Sequence, residues 1–537
     1  MSTTHAGLEA SAAATDRRAR RRLSARRATS QRDQLADILA VAIPSLLALA
    51  LCLYQITTRS LWLDESATVA IASQHGSAFG AALARDGGNM LGYYALLHVL
   101  IGWFGSGALV IRLPAAVAAT ATVALVAVLG LRLADRRVAA VAGVVTAVNL
   151  SLVYWGQDAR GYTPMVALVV GSFLALLAIL ERRGGRGPWI GYVVCTTAAV
   201  YMGLEAALII PAQLLMLVWF RDRWRPVVTA VAVTAACCIP LAVLAAGRGS
   251  GQLFWVPNPS LRVLWQIVQA LTSSGLQPSF YTSTTTALAV LTLVVLVAGA
   301  ARTWQLWRTA GGEAAWRPAL MLAWLIVPAL VALIESAIGQ SIFQARYLLV
   351  SLPAVSLLLA WTLADRRVLS APRPTRLLAV GAVTALIVIR GLQLAPAYGV
   401  SPENWRGATA YVVAHAQPRD CIAFYPLDNR QAFRYYLRDF ARGPRPILPA
   451  VPWSEVRPFV EDYASLSAAQ LAALPQQCGR VWLVASHEGK VGGPPTSHGN
   501  YVRFHQLTSS LRRHFPAAPR SLTFSPAGVV TVTLYSG

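Results

Sequence analysis

The chain has 537 residues, of which 56% are hydrophobic and only 13% charged. Soluble globular domains carry about 25% charged residues, so a soluble enzyme is excluded, and apolar runs of about 20 residues point to a polytopic helical membrane protein. A formal net charge of +23 would suggest nucleic acid in a soluble protein, but here the arginines occupy short loops between apolar runs and the N-terminal tail, the distribution that orients membrane helices; Lys490 is the single lysine.

Residues 1–34 carry Arg17, Arg18, Arg20, Arg21, Arg22, Arg26, Arg27 and Arg32 with no apolar stretch. They read as a disordered cytoplasmic tail lying on anionic lipid, not as a signal peptide. The first span is expected over Ala36–Thr57, travelling outward. A long outer loop, residues 58–109, follows and holds the adjacent acids Asp64 and Glu65. Its apolar piece Leu91–Gly105 is too short to span and reads as a membrane-edge helix. Spans are then expected over Val110–Leu133, Val138–Trp155, Thr163–Leu180, Trp189–Gly203, Ala206–Phe220, Val227–Ala246, Thr284–Ala301, Pro318–Ile334, Arg346–Leu363 and Leu377–Ile389. That makes about eleven spans, with the amino end inside and the carboxyl end outside. Counting Leu91–Gly105 as a span would turn most arginine loops outward, against the charge pattern.

Residues 35–394 thus form the membrane domain, and residues 395–537 differ in character, being polar and rich in Pro and Gly. Ser401-Pro402-Glu403-Asn404 reads as the start of a helix. Cys421–Tyr425 and Val481–Ala485 read as buried strands, and Leu522–Phe524 with Val529–Leu534 as a hairpin around Pro526-Ala-Gly528. The fold class expected is an α-helical polytopic membrane protein with a small C-terminal α/β extracytoplasmic domain. Cys52, Cys195, Cys237 and Cys238 fall in apolar spans as packing residues. Cys421 and Cys478 are able to pair if their domain is extracytoplasmic.

This topology brings Asp64, Glu65 and Asp158 to one face, although they are distant in sequence. Ionisable groups at a membrane boundary are expensive to keep and mark function. A carboxylate there can deprotonate a hydroxyl or take a divalent metal. The plainer readings are a helix cap for Asp64, a solvated Glu65, and a salt bridge from Asp158 to Arg160. Arginines at outer span ends run against the charge bias: Arg112, Arg160, Arg346 and Arg390. The guanidinium fork suits a phosphate, whereas Arg390 reads as snorkelling to the headgroups. Phe254, Trp255, Trp265, Phe280 and Tyr281 form an interfacial aromatic group, either belt anchors or faces for a sugar. His98 reads first as a hydrogen-bonded core residue. Glu205 and Glu335 are edge acids without an assigned role.

Leu61-Trp-Leu-Asp-Glu65 resembles the acidic motif of the GT-C glycosyltransferases, a superfamily that includes protein O-mannosyltransferases, the aminoarabinose transferase of lipid A and the catalytic subunit of oligosaccharyltransferase. Tyr93-Tyr94-Ala-Leu-Leu-His98, Arg112-Leu-Pro114, Gln157-Asp-Ala-Arg160-Gly-Tyr162 and Arg346-Tyr347 resemble further family segments in the same order, over residues 36–394. The resemblance implies transfer of a sugar from a polyprenyl-phosphate donor to a glycan, lipid or protein acceptor outside the cytoplasmic membrane. Asp64 would be the base, Glu65 and Asp158 its supporting acids. Arg346 would clamp the lipid phosphate, and Tyr347, Arg160, Arg112, His98 and Tyr93 would complete the substrate-binding set. The chain departs from many relatives in having Asn89-Met90 where they have Pro-Pro, and in offering Arg85 as the nearest cation there. No cofactor is required by this reading, and a divalent metal stays open. The alanine- and arginine-rich composition reads as that of a high-GC actinobacterium, which makes mannose or arabinose the expected sugar. The rival readings are a lipid-linked-sugar transporter or flippase, and a non-catalytic scaffold.

Overall fold

The computed structural model describes residues 31–181, 185–249, 253, 256–272, 283–454, 466–492, 495–524 and 529–537. Of the tail expected over residues 1–34, residues 1–30 lie outside the described residues, as do the loop residues Arg182 and Arg183, the aromatics Phe254, Trp255, Phe280 and Tyr281, and the hairpin tip Pro526–Gly528; residues 31–34 are not a disordered tail but the first turn of the first helix.

The chain opens with α1 (Gln31–Leu53) and then winds through three short helices, α2 (Leu63–Ala72), α3 (Gly76–Asp86) and α4 (Leu91–Phe104). The 14-residue α4 covers the apolar piece expected over Leu91–Gly105 and is apolar but too short to span. The turn from α3 into α4 needs left-handed backbone at Gly87 (φ 72°) and Gly88 (φ 70°), and it forces Met90 to 57° as well. A side chain at Gly88 would also strike Leu241, 2.8 Å away.

Next come α5 (Ala108–Leu133), α6 (Arg136–Ala147), α7 (Leu150–Gly156), α8 (Tyr162–Leu180) and α9 (Gly187–Met202). Asp135 caps α6 through the amides of Arg137 and Val138. The α6–α7 pair is apolar enough to be taken together and is bent by 59° at its break. Asn149 caps the second half by accepting from the Leu152 amide. Arg390, from the helix Arg373–Ala397, donates to the carbonyls of Val145 and Thr272 beside the break. It is fully buried, so the snorkelling expectation fails: its guanidinium serves backbone carbonyls inside the bundle. A second bend, of 51°, separates Arg221–Cys237 from Ile239–Arg248, where Pro240 removes a backbone donor.

Among the described residues seven helices are long and apolar enough to cross a membrane, or nine if each bent pair counts as one span. The shorter Gly187–Met202 and Leu204–Val218 occupy the two remaining expected positions. At the rim opposite α2, Arg136 pairs with Asp37 at 2.6 Å, Arg302 pairs with Asp365, and Arg317 lies 3.4 Å from Glu181.

The C-terminal region folds into a five-stranded mixed sheet in the order β2-β1-β3-β5-β4. The strands are β1 (Cys421–Tyr425), β2 (Arg445–Leu448), β3 (Arg480–Ala485), β4 (Arg520–Thr523) and β5 (Thr531–Ser536). β1 pairs parallel with β2 and β3, while β5 runs antiparallel to β3 and β4. Alternate residues of β1 and β3 face opposite ways. Ile422, Phe424, Trp482 and Val484 join the core shared with the membrane helices. Cys421, Ala423, Val481 and Leu483 pack with Leu474, Leu511 and Phe515 in a separate core. A disulfide joins Cys421 to Cys478, while the four cysteines of the apolar spans are free.

One boundary moves. The helix expected from Ser401 begins instead at Trp405 and is capped by Asn404, which accepts from the Gly407 amide at 2.9 Å. Ser401 and Glu403 lie ahead of that helix and accept from the Ser60 amide, before α2, and the Leu63 amide, at its first residue.

Candidate functional site

The first turn of α2 carries both acids of the Leu61–Glu65 motif, about 100° apart around the helix axis. Glu65 points into the bundle. Arg112 of α5 grips it with two hydrogen bonds of 2.7 Å, and both side chains are about 1% exposed. The remaining guanidinium hydrogens go to the carbonyls of Ile56, at 2.8 Å, Arg59, at 3.1 Å, and Ser60, at 3.5 Å. Glu65 also accepts from the Ala159 amide at 2.9 Å. One buried pair therefore ties α2, α5, the loop after α1 and the loop after α7 into a single frame.

Asp64 points the other way and keeps a third of its side chain exposed. Its Oδ2 accepts from Arg346 at 3.1 Å and lies 3.8 Å from Arg160. Arg346 also hydrogen-bonds Tyr162 and has Tyr347 beside it, and it sits over the Trp62 ring at 5.8 Å. Arg160 donates to the hydroxyls of Thr68, at 3.2 Å, and Tyr94, at 3.4 Å.

Asp158 lies in the loop between α7 and α8 and is buried. Its Oδ2 accepts from the Trp62 indole at 2.8 Å, and among the described residues its Oδ1 has no hydrogen-bond partner. Burial pushes this carboxyl well above the ordinary carboxylate range. Nearby Glu65 pushes the same way, and Arg59, Arg112 and Arg160 oppose it. The loop is held from behind: Arg59 donates to the carbonyls of Tyr154 and Gln157 at 3.0 Å, and the Gln157 side chain donates through Nε2 to the Tyr54 carbonyl at 2.6 Å.

The expected residues therefore separate. Asp64, Asp158, Arg160, Arg346 and Tyr347 gather at one rim. Arg112 and Glu65 are engaged with each other and with backbone, so neither guanidinium nor carboxylate faces outward. Tyr93 is fully buried and donates to the Ile111 carbonyl at 3.0 Å, which makes it a packing residue between α4 and α5. His98 bonds the Ala72 carbonyl at 2.9 Å and stacks on Phe79. That places it at the far end of α2, about 12 Å along the axis from Asp64.

Three further groups complete the rim. Asp86, at the end of α3, is buried with Oδ2 lacking a partner among the described residues. Burial lifts its carboxyl to about 7, opposed by Arg160 and by a hydrogen bond from Tyr94. Glu205 lies within electrostatic reach of Arg160 and Arg346. Glu403 reaches in from the C-terminal domain. An acid beside the Gly87-Gly88 turn was the sequence signal for Asp86; nothing in the sequence marks Glu403 as part of this rim. Among the described residues no three His, Cys, Asp or Glu side chains converge as a metal set.

Residues 90–246 match the family model described as dolichyl-phosphate-mannose-protein mannosyltransferase. No curated protein matches the chain by sequence. In fold, the chain is similar to ArnT from Cupriavidus metallidurans in the apo state, with a TM-score of 0.55 and 14% identity, over 93% of this chain and 97% of that one. The same protein bound to undecaprenyl phosphate gives 0.52 and 13% over the same shares. The archaeal oligosaccharyltransferase AglB from Archaeoglobus fulgidus, in complex with an inhibitory peptide and a dolichol-phosphate, gives 0.52 and 12% over 92% of this chain and 74% of that one. The chain thus has the GT-C fold, with the sequence pattern of that mannosyltransferase family over residues 90–246.

Proposed function

We propose that the protein is a membrane glycosyltransferase that moves a sugar from a polyprenyl-phosphate donor to a hydroxyl acceptor, with Asp64 as general base. The carrying observation is a half-open carboxylate, Asp64, held between two guanidiniums, Arg346 and Arg160, at one rim of the bundle. An incoming phosphate competes for both guanidiniums with its own oxygens. Asp64 is then released from its ion pairs and faces the acceptor.

In the transfer step the acceptor oxygen attacks the anomeric carbon and its proton passes to the Asp64 carboxylate. The bond from that carbon to the phosphate oxygen breaks, and the phosphate leaves with the electron pair, stabilised by Arg346 and Arg160. Attack opposite the leaving group inverts the anomeric centre. Asp158, fixed by Trp62, supports the frame behind the site, and Glu65 with Arg112 acts as a positioning pair.

The lipid-phosphate donor is supported by the undecaprenyl phosphate and dolichol-phosphate bound to the two relatives of similar fold. The family match favours mannose, with arabinose as the alternative sugar. The acceptor is a cell-envelope glycan, lipid or protein. The disulfide in the C-terminal domain supports placing that domain, and this rim, on the oxidising outer side.

The test uses purified protein in proteoliposomes with radiolabelled polyprenyl-phosphate mannose and arabinose. Asp64→Asn is expected to lower transfer by about 10²–10⁴-fold while the protein stays folded in the membrane. Near-wild-type transfer by that variant removes Asp64 as base. Movement of the lipid between leaflets with no glycoside formed would instead identify a flippase.

A further inference from the structure

The segment that delivers Asp64 is held by the C-terminal domain. α2 starts at Leu63, and its N-cap residue, Trp62, supplies no side-chain cap; its indole is committed to Asp158. The first amides of a helix have no partner within it. Here the Leu63 amide donates to Glu403 Oε2 at 2.8 Å, across 340 residues of sequence. Just before it, the Leu61 amide donates to the Tyr436 hydroxyl at 2.6 Å, and the Ser60 amide donates to Ser401 Oγ at 2.8 Å. Arg406 returns the hold by donating to the Thr57 and Thr58 carbonyls at 3.0 Å and 3.1 Å.

Glu403 is itself fixed. It is buried, it accepts from the Trp405 indole at 2.6 Å, and its other oxygen lies 4.0 Å from His487. A carboxylate at this place also meets the positive end of the α2 dipole.

We propose that Glu403 is a positioning residue for the transfer reaction: it caps the Asp64 helix from another domain and fixes where the Asp64 carboxylate stands. This rests on Asp64 being the base. The C-terminal domain then works as part of the transfer site, because the register of the first α2 turn depends on it. The acceptor could not be activated reproducibly by a carboxylate on a fraying helix end, since a displacement of about 1 Å costs on the order of 10²-fold in rate.

The experiment compares full-length wild type with Glu403→Ala, Glu403→Gln and Tyr436→Phe in proteoliposomes. Hydrogen exchange is read over residues 61–66, and kcat and donor KM are read with polyprenyl-phosphate mannose. Glu403→Ala is expected to speed exchange there and to lower kcat at least tenfold, with donor KM within threefold. Glu403→Gln keeps an acceptor oxygen and is expected to restore both protection and kcat. Unchanged exchange over residues 61–66 in Glu403→Ala overturns the proposal. So does an unchanged kcat, or a loss in which donor KM rises as much as kcat falls and Glu403→Gln rescues nothing. Should Glu403→Ala fail to fold, Tyr436→Phe, which removes the acceptor of the Leu61 amide, decides by the same readings. If wild type transfers no sugar at all, the glycosyltransferase reading fails, and the exchange measurement still decides whether Glu403 caps the helix.

Discussion

Asp64 and Glu65 are neighbours with the same chemistry and opposite surroundings. Glu65 is enclosed by Arg112 and the Ala159 amide, so its removal leaves a buried guanidinium without its counter-charge. Glu65→Ala is expected to cost about 3–5 kcal/mol of stability, read as a fall in the thermal midpoint in detergent. Replacing both partners by apolar residues recovers only part of this, because the carbonyls of Ile56 and Arg59 still lose the donors Arg112 gives them. Asp86 makes a pH prediction. Its carboxyl rises from 3.8 to about 7 through burial; Arg160, Tyr94 and Arg248 face it as opposing groups, and Asp64 adds to the rise. Between pH 3.8 and about 7 the folded chain keeps this proton and the unfolded chain releases it. Its stabilising share is therefore complete at acid pH and is lost as pH rises through about 7. Asp86→Asn is expected to flatten that part of the stability curve, so wild type should lose thermal midpoint relative to the variant between pH 5 and pH 8. An equal slope in the two proteins would contradict it.

At the scale of elements, the site depends on places where helices are broken or pressed together. The α6–α7 bend aims the loop that carries Asp158 and Arg160, and the cost of the break is met by Asn149 and by Arg390. The sequence showed an arginine at a span end, but not that two carbonyls from other segments would surround it, since those carbonyls come together only in the bundle. Gly161, directly after Arg160, is a close approach of the same kind. A Cβ there would stand 2.3 Å from the Met202 carbonyl oxygen at the end of α9. Gly161→Ala is expected to cost about 1–3 kcal/mol through overpacking, and to lower transfer further than the loss of folded protein explains, because Arg160 must shift with it. Thermal unfolding set beside kcat on the same preparation separates the two effects. The span order was legible in the sequence, since apolar length and flanking arginine are local properties. The two bends and the start of the helix at Trp405 were not, because they follow from caps supplied by packing.

Taken as a whole molecule, the protein is a membrane bundle and a small mixed-sheet domain sharing one core, and the domain's own second core is fastened by Cys421–Cys478. The bridge closes a separation of 57 residues, for which chain entropy gives about 4 kcal/mol. Cys421→Ser with Cys478→Ser is expected to lower the stability of this domain by an amount of that order. Transfer should fall with it, since Glu403 and Tyr436 hold the segment before Asp64; limited proteolysis together with activity checks both. Unimpaired transfer from a protein with a loosened sheet domain would show that the domain does not order α2. The sequence by itself determined that this chain lives in a bilayer, in what order its spans come, and that an acidic motif follows the first of them, because hydrophobic length and charge are written residue by residue. Only the tertiary structure decided that Asp64 faces outward while Glu65 faces Arg112, and that Glu403 caps a helix 340 residues away. Consecutive helical residues diverge by a fixed angle, but which of them meets the core is set by the elements packed around the helix, and those are remote in the chain.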